Sequence, residues 1–98
     1  MDNDIRVVAF LKVKPGMTSA MDTAVLNCAM ASRTEEGCLF YAGHWDKDDD
    51  HHLVFVEHWV SQAALDTHMT TSHFHDFVVA ISGVVEGEPK VIILHEIK

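Results

Sequence analysis

Hydrophobic positions along the chain alternate between a strand period and a helix period, and the switches mark the elements. Ile5-Arg-Val-Val-Ala-Phe-Leu-Lys-Val13 is β-branched and aromatic and predicts a strand. Lys14-Pro15-Gly16 ends it, because Pro15 presets φ and Gly16 accepts a positive φ, the pairing of a type II turn. Met21, Val25, Cys28, Ala29 and Ser32 then recur on one helical face. Thr18 or Ser19 is placed to cap that helix, with Glu35-Glu36-Gly37 ending it on a left-handed glycine. Cys38–Trp45 and His52–Trp59 read as two strands of a hairpin joined by the polar loop Asp46–Asp50. Ser61 caps a second helix through Ala63, Ala64, Leu65 and His68. Thr71-Ser72 breaks it, and Phe74, Phe77, Val78 and Ile81 continue its stripe. Gly83 and Gly87-Glu88-Pro89 end the helix, and Val91–Ile97 is the last strand.

The order is β-α-β-β-α-β in one unit, residues 1–98, without internal repeats. This split βαβ topology predicts an α+β, ferredoxin-like plait: a four-stranded antiparallel sheet with both helices on one face. Such a sheet alternates apolar and polar residues when one face meets water. These strands do not. The first sets Ile5, Val7, Ala9 and Leu11 against Val8 and Phe10; the third sets Leu53, Phe55 and Trp59 against Val54 and Val56; the fourth sets Val91 and Ile93 against Ile92 and Leu94. Two helices cover one face, and a large bare apolar patch is uncommon on a monomer. A homodimer joined sheet to sheet is the expectation.

Charge narrows the partners. Seven Lys and Arg against 15 Asp and Glu leave a net −8 on 98 residues. That balance excludes nucleic acid and anionic membrane surfaces, which need a basic face. No apolar run approaches the ~20 residues of a membrane span. Met1-Asp2-Asn3-Asp4 has neither a basic nor an apolar leader region. Cys28 and Cys38 make no disulfide framework, so the chain reads as reduced and cytoplasmic.

Within this frame a few residues carry chemistry. A hairpin centred near Asp49 sets Tyr41 opposite Glu57 and Leu39 opposite Trp59. Glu57 is the carboxylate inside the apolar run Leu53–Trp59. Burial there raises its pKa and makes it a proton acceptor near neutrality, or else it accepts hydrogen bonds and merely holds the sheet. His68, on the helix over the sheet, either points into a cavity as a near-neutral base or sits at the surface. Tyr41 and Trp59 line an aromatic pocket or fill the core. The eight histidines show no zinc spacing: His51-His52 alternate across a strand, and His68, His73 and His75 have no i, i+4 pair. No metal is expected. No glycine-rich phosphate loop or dinucleotide fingerprint is present, so no nucleotide cofactor is expected either.

Lys14-Pro15-Gly16, Glu36-Gly37-Cys38 with Tyr41, Glu57-His58-Trp59, Ala64-Leu65 with His68, and Ser72-His73-Phe74 with Phe77 follow one another in an order that resembles the antibiotic biosynthesis monooxygenase family. The likeness runs from about Val7 to the last strand. It implies a dimeric α+β barrel of ferredoxin-like subunits. The family includes cofactor-independent oxygenases of quinols and polyketide phenols, haem-degrading enzymes and an isomerase-type enzyme of a quorum-signal sugar phosphate. Haem degradation relies on an asparagine, a tryptophan and a histidine ligand where this chain aligns Ala9, His68 and Val78. The resemblance therefore implies a monooxygenase without flavin, haem or metal, acting with dioxygen on a small quinol or phenol. Glu57 or His68 would be the base, Tyr41 the hydrogen-bond donor, and Trp59, Phe55 and Phe74 the walls. An isomerase or lyase of a small hydroxy-carbonyl metabolite, or a dimeric ligand-binding module without catalysis, are the alternatives.

Overall fold

Along β1 (Ile5–Val13) the odd-numbered side chains Ile5, Val7, Ala9, Leu11 and Val13 are buried and the even ones are not, the two-residue pleat of a strand with one face packed. The computed structural model describes residues 3–98; Met1 and Asp2, the start of the expected 1–98 domain, lie outside them. After β1 come α1 (Thr18–Ser32), β2 (Cys38–Asp46), β3 (Asp49–Trp59), α2 (Gln62–His68), α3 (Ser72–Ile81) and β4 (Val85–Leu94). The four strands form one antiparallel sheet in the order β2-β3-β1-β4. The three helices cover one face of it, and the architecture is the ferredoxin-like α+β plait. No helix among the described residues is long and apolar enough to cross a membrane.

The break at Thr71-Ser72 is real and turns one expected helix into two. Ser61 caps α2 by accepting from Ala64 N at 3.1 Å, and Thr71 caps α3 by accepting from Phe74 N at 3.2 Å. Gly16 takes φ +80°, with Met17 N donating to Lys14 O, as the turn chemistry requires.

Five local expectations need correction. The β2–β3 turn is tighter than a five-residue loop: Asp46 pairs with Asp49, and Asp46 Oδ1 accepts from Asp48 N at 2.8 Å. Cys38, rather than Leu39, lies opposite Trp59, because the ladder slips between Cys38 and Phe40. Neither Thr18 nor Ser19 caps α1, which begins after Met17 without a side-chain cap and ends at Ser32, so Gly37 is not its left-handed terminator. Gly37 instead lies against α2, where an added Cβ would stand 2.5 Å from Ala64 Cβ. Gly87-Glu88-Pro89 does not precede the last strand but bulges within it. Pairing passes from Phe10↔Lys90 to Lys12↔Glu86, two extra residues on β4, and Gly87 absorbs the kink at φ +75°.

The sheet's two faces are unequally treated. The outer face carries Val8, Phe10, Val54 and Val56, all half-buried, and Ile92 and Leu94, both exposed. On the helical face β4 also goes uncovered, leaving Val91 58% and Ile93 48% exposed. Since Ala64 Cβ is not a flexible chain end, Gly37→Ala is expected to destabilise the fold by about 1–3 kcal/mol through overpacking, measured as a lower urea midpoint with an unchanged slope.

Candidate active site

Where the helices lift away from β1 and β4, they leave a cavity of about 230 Å³. A dry cavity of ~150 Å³ is enough for benzene, so this one takes a single substituted ring. Val7, Ala9 and Phe55 form its floor, Leu65, Phe74 and Phe77 its roof, and Val91 and Ile93 its open side. Its lining is almost wholly apolar. The polar side chains among the lining residues are Glu57, His68 and Tyr41.

Glu57 reaches the chamber because β3 alternates: Leu53, Phe55, Glu57 and Trp59 share the buried face. Glu57 is 7% exposed, and Trp59 Nε1 donates to its Oε1 at 2.9 Å. Burial pushes its pKa up to about 7; the indole bond opposes the shift and the charge of Glu35 adds to it.

His68 is 1% exposed and clamped among rings, with Trp59 at 4.7 Å, Phe74 at 5.1 Å and Tyr41 at 5.4 Å between centroids. Its Nδ1 lies 2.7 Å from Glu35 Oε2. A carboxylate oxygen accepts, so Nδ1 carries the proton and Nε2 keeps the lone pair, on a ring that lines the cavity. Burial lowers its pKa, and the neighbouring His73 adds to that, while the bond to Glu35 and its charge pull the other way. The net result is a neutral imidazole of fixed tautomer. Glu35 itself accepts a second bond through the same oxygen, from His73 Nε2 at 2.8 Å.

The structure thus brings together Glu57, His68, Tyr41, Phe55 and Phe74 as the sequence expects. Trp59 is different: wholly buried, it lies behind the chamber as the donor that holds Glu57 rather than as a wall. Tyr41 presents its ring to the cavity, but its hydroxyl is turned to α1, 3.4 Å from Cys28 Sγ, and burial first, then the charge of Glu57, holds its pKa well above the phenol range. It is not poised to donate to a ligand. Glu35 escapes sequence reasoning, and His73 is weighed there only as a metal ligand beside His68 and His75 and set aside. Glu35 reads as part of a helix end, adjacent Glu36 being the glutamate of the family-like motif, and His73 has no i, i+4 partner.

A family model described as antibiotic biosynthesis monooxygenase matches residues 4–80. The chain belongs to the antibiotic biosynthesis monooxygenase family. A crystal structure of an antibiotic biosynthesis monooxygenase superimposes with a TM-score of 0.91 at 29% identity, covering 96% of this chain and 99% of that one. The structure of PA3566 from Pseudomonas aeruginosa gives 0.92 at 28% identity, covering 100% and 98%. The uncharacterized protein sll1783 of Synechocystis is 36% identical over 77 residues, 79% of this chain. The chain spans about half the length, 52%, of that curated relative. The family bears the name of a monooxygenase, and that name specifies no substrate.

Burial of Glu57 has a consequence for stability. A carboxyl whose pKa rises from 4.5 unfolded to about 7 folded binds its proton more tightly in the fold. Its contribution is complete below pH 4.5 and disappears as pH climbs through about 7. Glu57→Gln keeps an acceptor for Trp59 and removes the titration. Relative to that variant, the wild type is expected to lose on the order of 3 kcal/mol between pH 4.5 and 8, measured by urea unfolding across the range.

Proposed function

We propose that the protein is a cofactor-independent monooxygenase of a small quinol or phenol, and that His68, oriented by Glu35, is its base. The observation that carries this reading is the 2.7 Å bond from His68 Nδ1 to Glu35 Oε2 beside an apolar chamber. A carboxylate that fixes the tautomer of a buried imidazole leaves the opposite nitrogen ready to take a proton.

The chemistry asks little more of the protein. Triplet dioxygen reacts slowly with closed-shell molecules, but an electron-rich phenolate can pass it one electron. The enzyme's tasks are then to remove the phenol proton, exclude water and steady the developing anion. His68 Nε2 performs the first. Phe55, Phe74, Leu65 and Phe77 perform the second. Glu57, half protonated near pH 7, offers an O–H to the oxygen anion. No Lys or Arg is among the described lining residues, which disfavours a phosphorylated substrate and so the isomerase alternative. We place the enzyme in a reduced, cytoplasmic setting on its two free cysteines.

We also propose a homodimer through the outer sheet face, supported by Val8, Phe10, Val54, Val56, Ile92 and Leu94, over which the described residues place no covering layer.

Two measurements test these readings. Oxygen consumption with a panel of hydroquinones is expected for the wild type, with kcat/KM falling about 10²–10⁴-fold in His68→Ala and less steeply in Glu35→Gln. Absence of uptake across the panel, or full activity in His68→Ala, removes the reading. Sedimentation at micromolar concentration is expected to show twice the 11.0 kDa chain mass, shifting to the single chain in Val56→Lys.

A further inference from the structure

We propose that Glu35, His68 and His73 form a site for one divalent transition-metal ion of zinc type, entered from the solvent side of the helices. Its existence does not depend on the oxygenase reading. Three separate parts of the fold supply the ligands: the α1–β2 connection, the last residue of α2 and the first turn of α3. Their donor atoms, a carboxylate oxygen and two ring nitrogens, all lie within 4.8 Å of one another.

The helix break is what makes this possible. Five residues along one continuous helix would set His68 and His73 about 140° apart around its axis. The break at Thr71 instead brings their ring centroids to 5.8 Å, with both rings directed at Glu35 Oε2. Two imidazoles and one carboxylate are a donor set that holds zinc at open sites, where water takes the fourth position. Borderline nitrogen and oxygen ligands favour the later first-row divalent ions over magnesium or calcium.

Room and access also fit. The present separations of 2.7 and 2.8 Å are hydrogen bonds, in which each ring donates a proton to the shared oxygen. An ion at the usual ~2.0–2.2 Å from each donor needs those gaps to open by roughly half an ångström. His68 is held by its ring neighbours, but Glu35 and His73 are partly exposed and lie at the ends of elements, so they supply the movement. His73 lines a groove between α1 and α3, and Glu35 lines a second one beside Thr67 and Thr71. An ion therefore reaches the ligands without crossing the apolar chamber, and the chain's net −8 draws cations toward it.

Occupancy would have a chemical cost. Metal on Nδ1 of a neutral imidazole moves the ring proton to Nε2, the nitrogen that the proposed base uses. The ion and the proposed base therefore exclude each other, and bound zinc inhibits rather than assists the oxygenation.

Isothermal titration of the metal-free full chain with zinc chloride, without substrate, tests the site. One ion per chain with micromolar or tighter affinity is expected, weakened at least tenfold in both Glu35→Gln and His73→Ala. The exposed Asp49, Asp50 and His51 cluster is the competing location, so His51→Ala is expected to leave binding unchanged. Should His73→Ala fail to fold, the wild type loaded with Co²⁺ is expected to show the visible absorption of a four-coordinate nitrogen–oxygen site. Failure to bind one zinc, binding indifferent to His73→Ala, loss in His51→Ala, or a six-coordinate cobalt spectrum would each overturn the proposal. None of these results touches oxygen uptake by metal-free enzyme, so the two readings fail separately.

Discussion

Coverage of the sheet governs this molecule. Four strands present apolar side chains on the inner face, but the helical layer reaches only as far as β1, and β4 is left with Val91 and Ile93 in the open. A continuous second helix would lie in one line over the strands. Divided at Thr71, it becomes two short segments that change direction, so Phe74 and Phe77 roof a chamber that no side chain fills. Every polar group entering that chamber must then bring its own partner, because an unpaired buried donor or acceptor costs roughly 1–3 kcal/mol.

That requirement accounts for the arrangement of the site. Glu57 is held by the indole of Trp59, two residues along the same strand face. His68 is held by Glu35 and His73 completes the chain, so two imidazole rings share one carboxylate oxygen. Desolvation acts on the two chamber groups in opposite senses, raising the carboxyl and lowering the imidazole, and drives both toward neutrality. Under the proposed function, such a neutral imidazole and a carboxyl titrating near neutrality, facing one apolar space, are suited to moving a proton.

Much of this was legible in advance because it depends on short stretches of chain. Tyr41 opposite Glu57 follows from the pleat and a hairpin of nearly fixed centre, and the Pro15-Gly16 turn follows from φ preferences. The same reasoning failed one step further out. The slip between Cys38 and Phe40 moved Trp59's partner, and nothing local distinguishes a glycine that kinks a strand from one that ends a helix, as Gly87 shows. For Tyr41 and Trp59 the sequence indicated that aromatic rings would gather near Glu57, but the aim of a hydroxyl or an indole N–H is set by what stands within 3.5 Å of it.

By itself, then, the sequence determined the order of strands and helical regions, the sheet's two apolar faces and the presence of a carboxyl on the buried side, while it left His68 open between cavity and surface. Those are properties of periodicity and turn chemistry, which act over a few residues. Only the tertiary structure decided which glutamate meets His68. Glu35 is 33 residues from His68 and 38 from His73, and no pattern in one dimension ranks it above its neighbour Glu36. Their meeting is a consequence of how α1 ends and where the second helical segment breaks, and side-chain convergence of that kind exists only once the layers have packed.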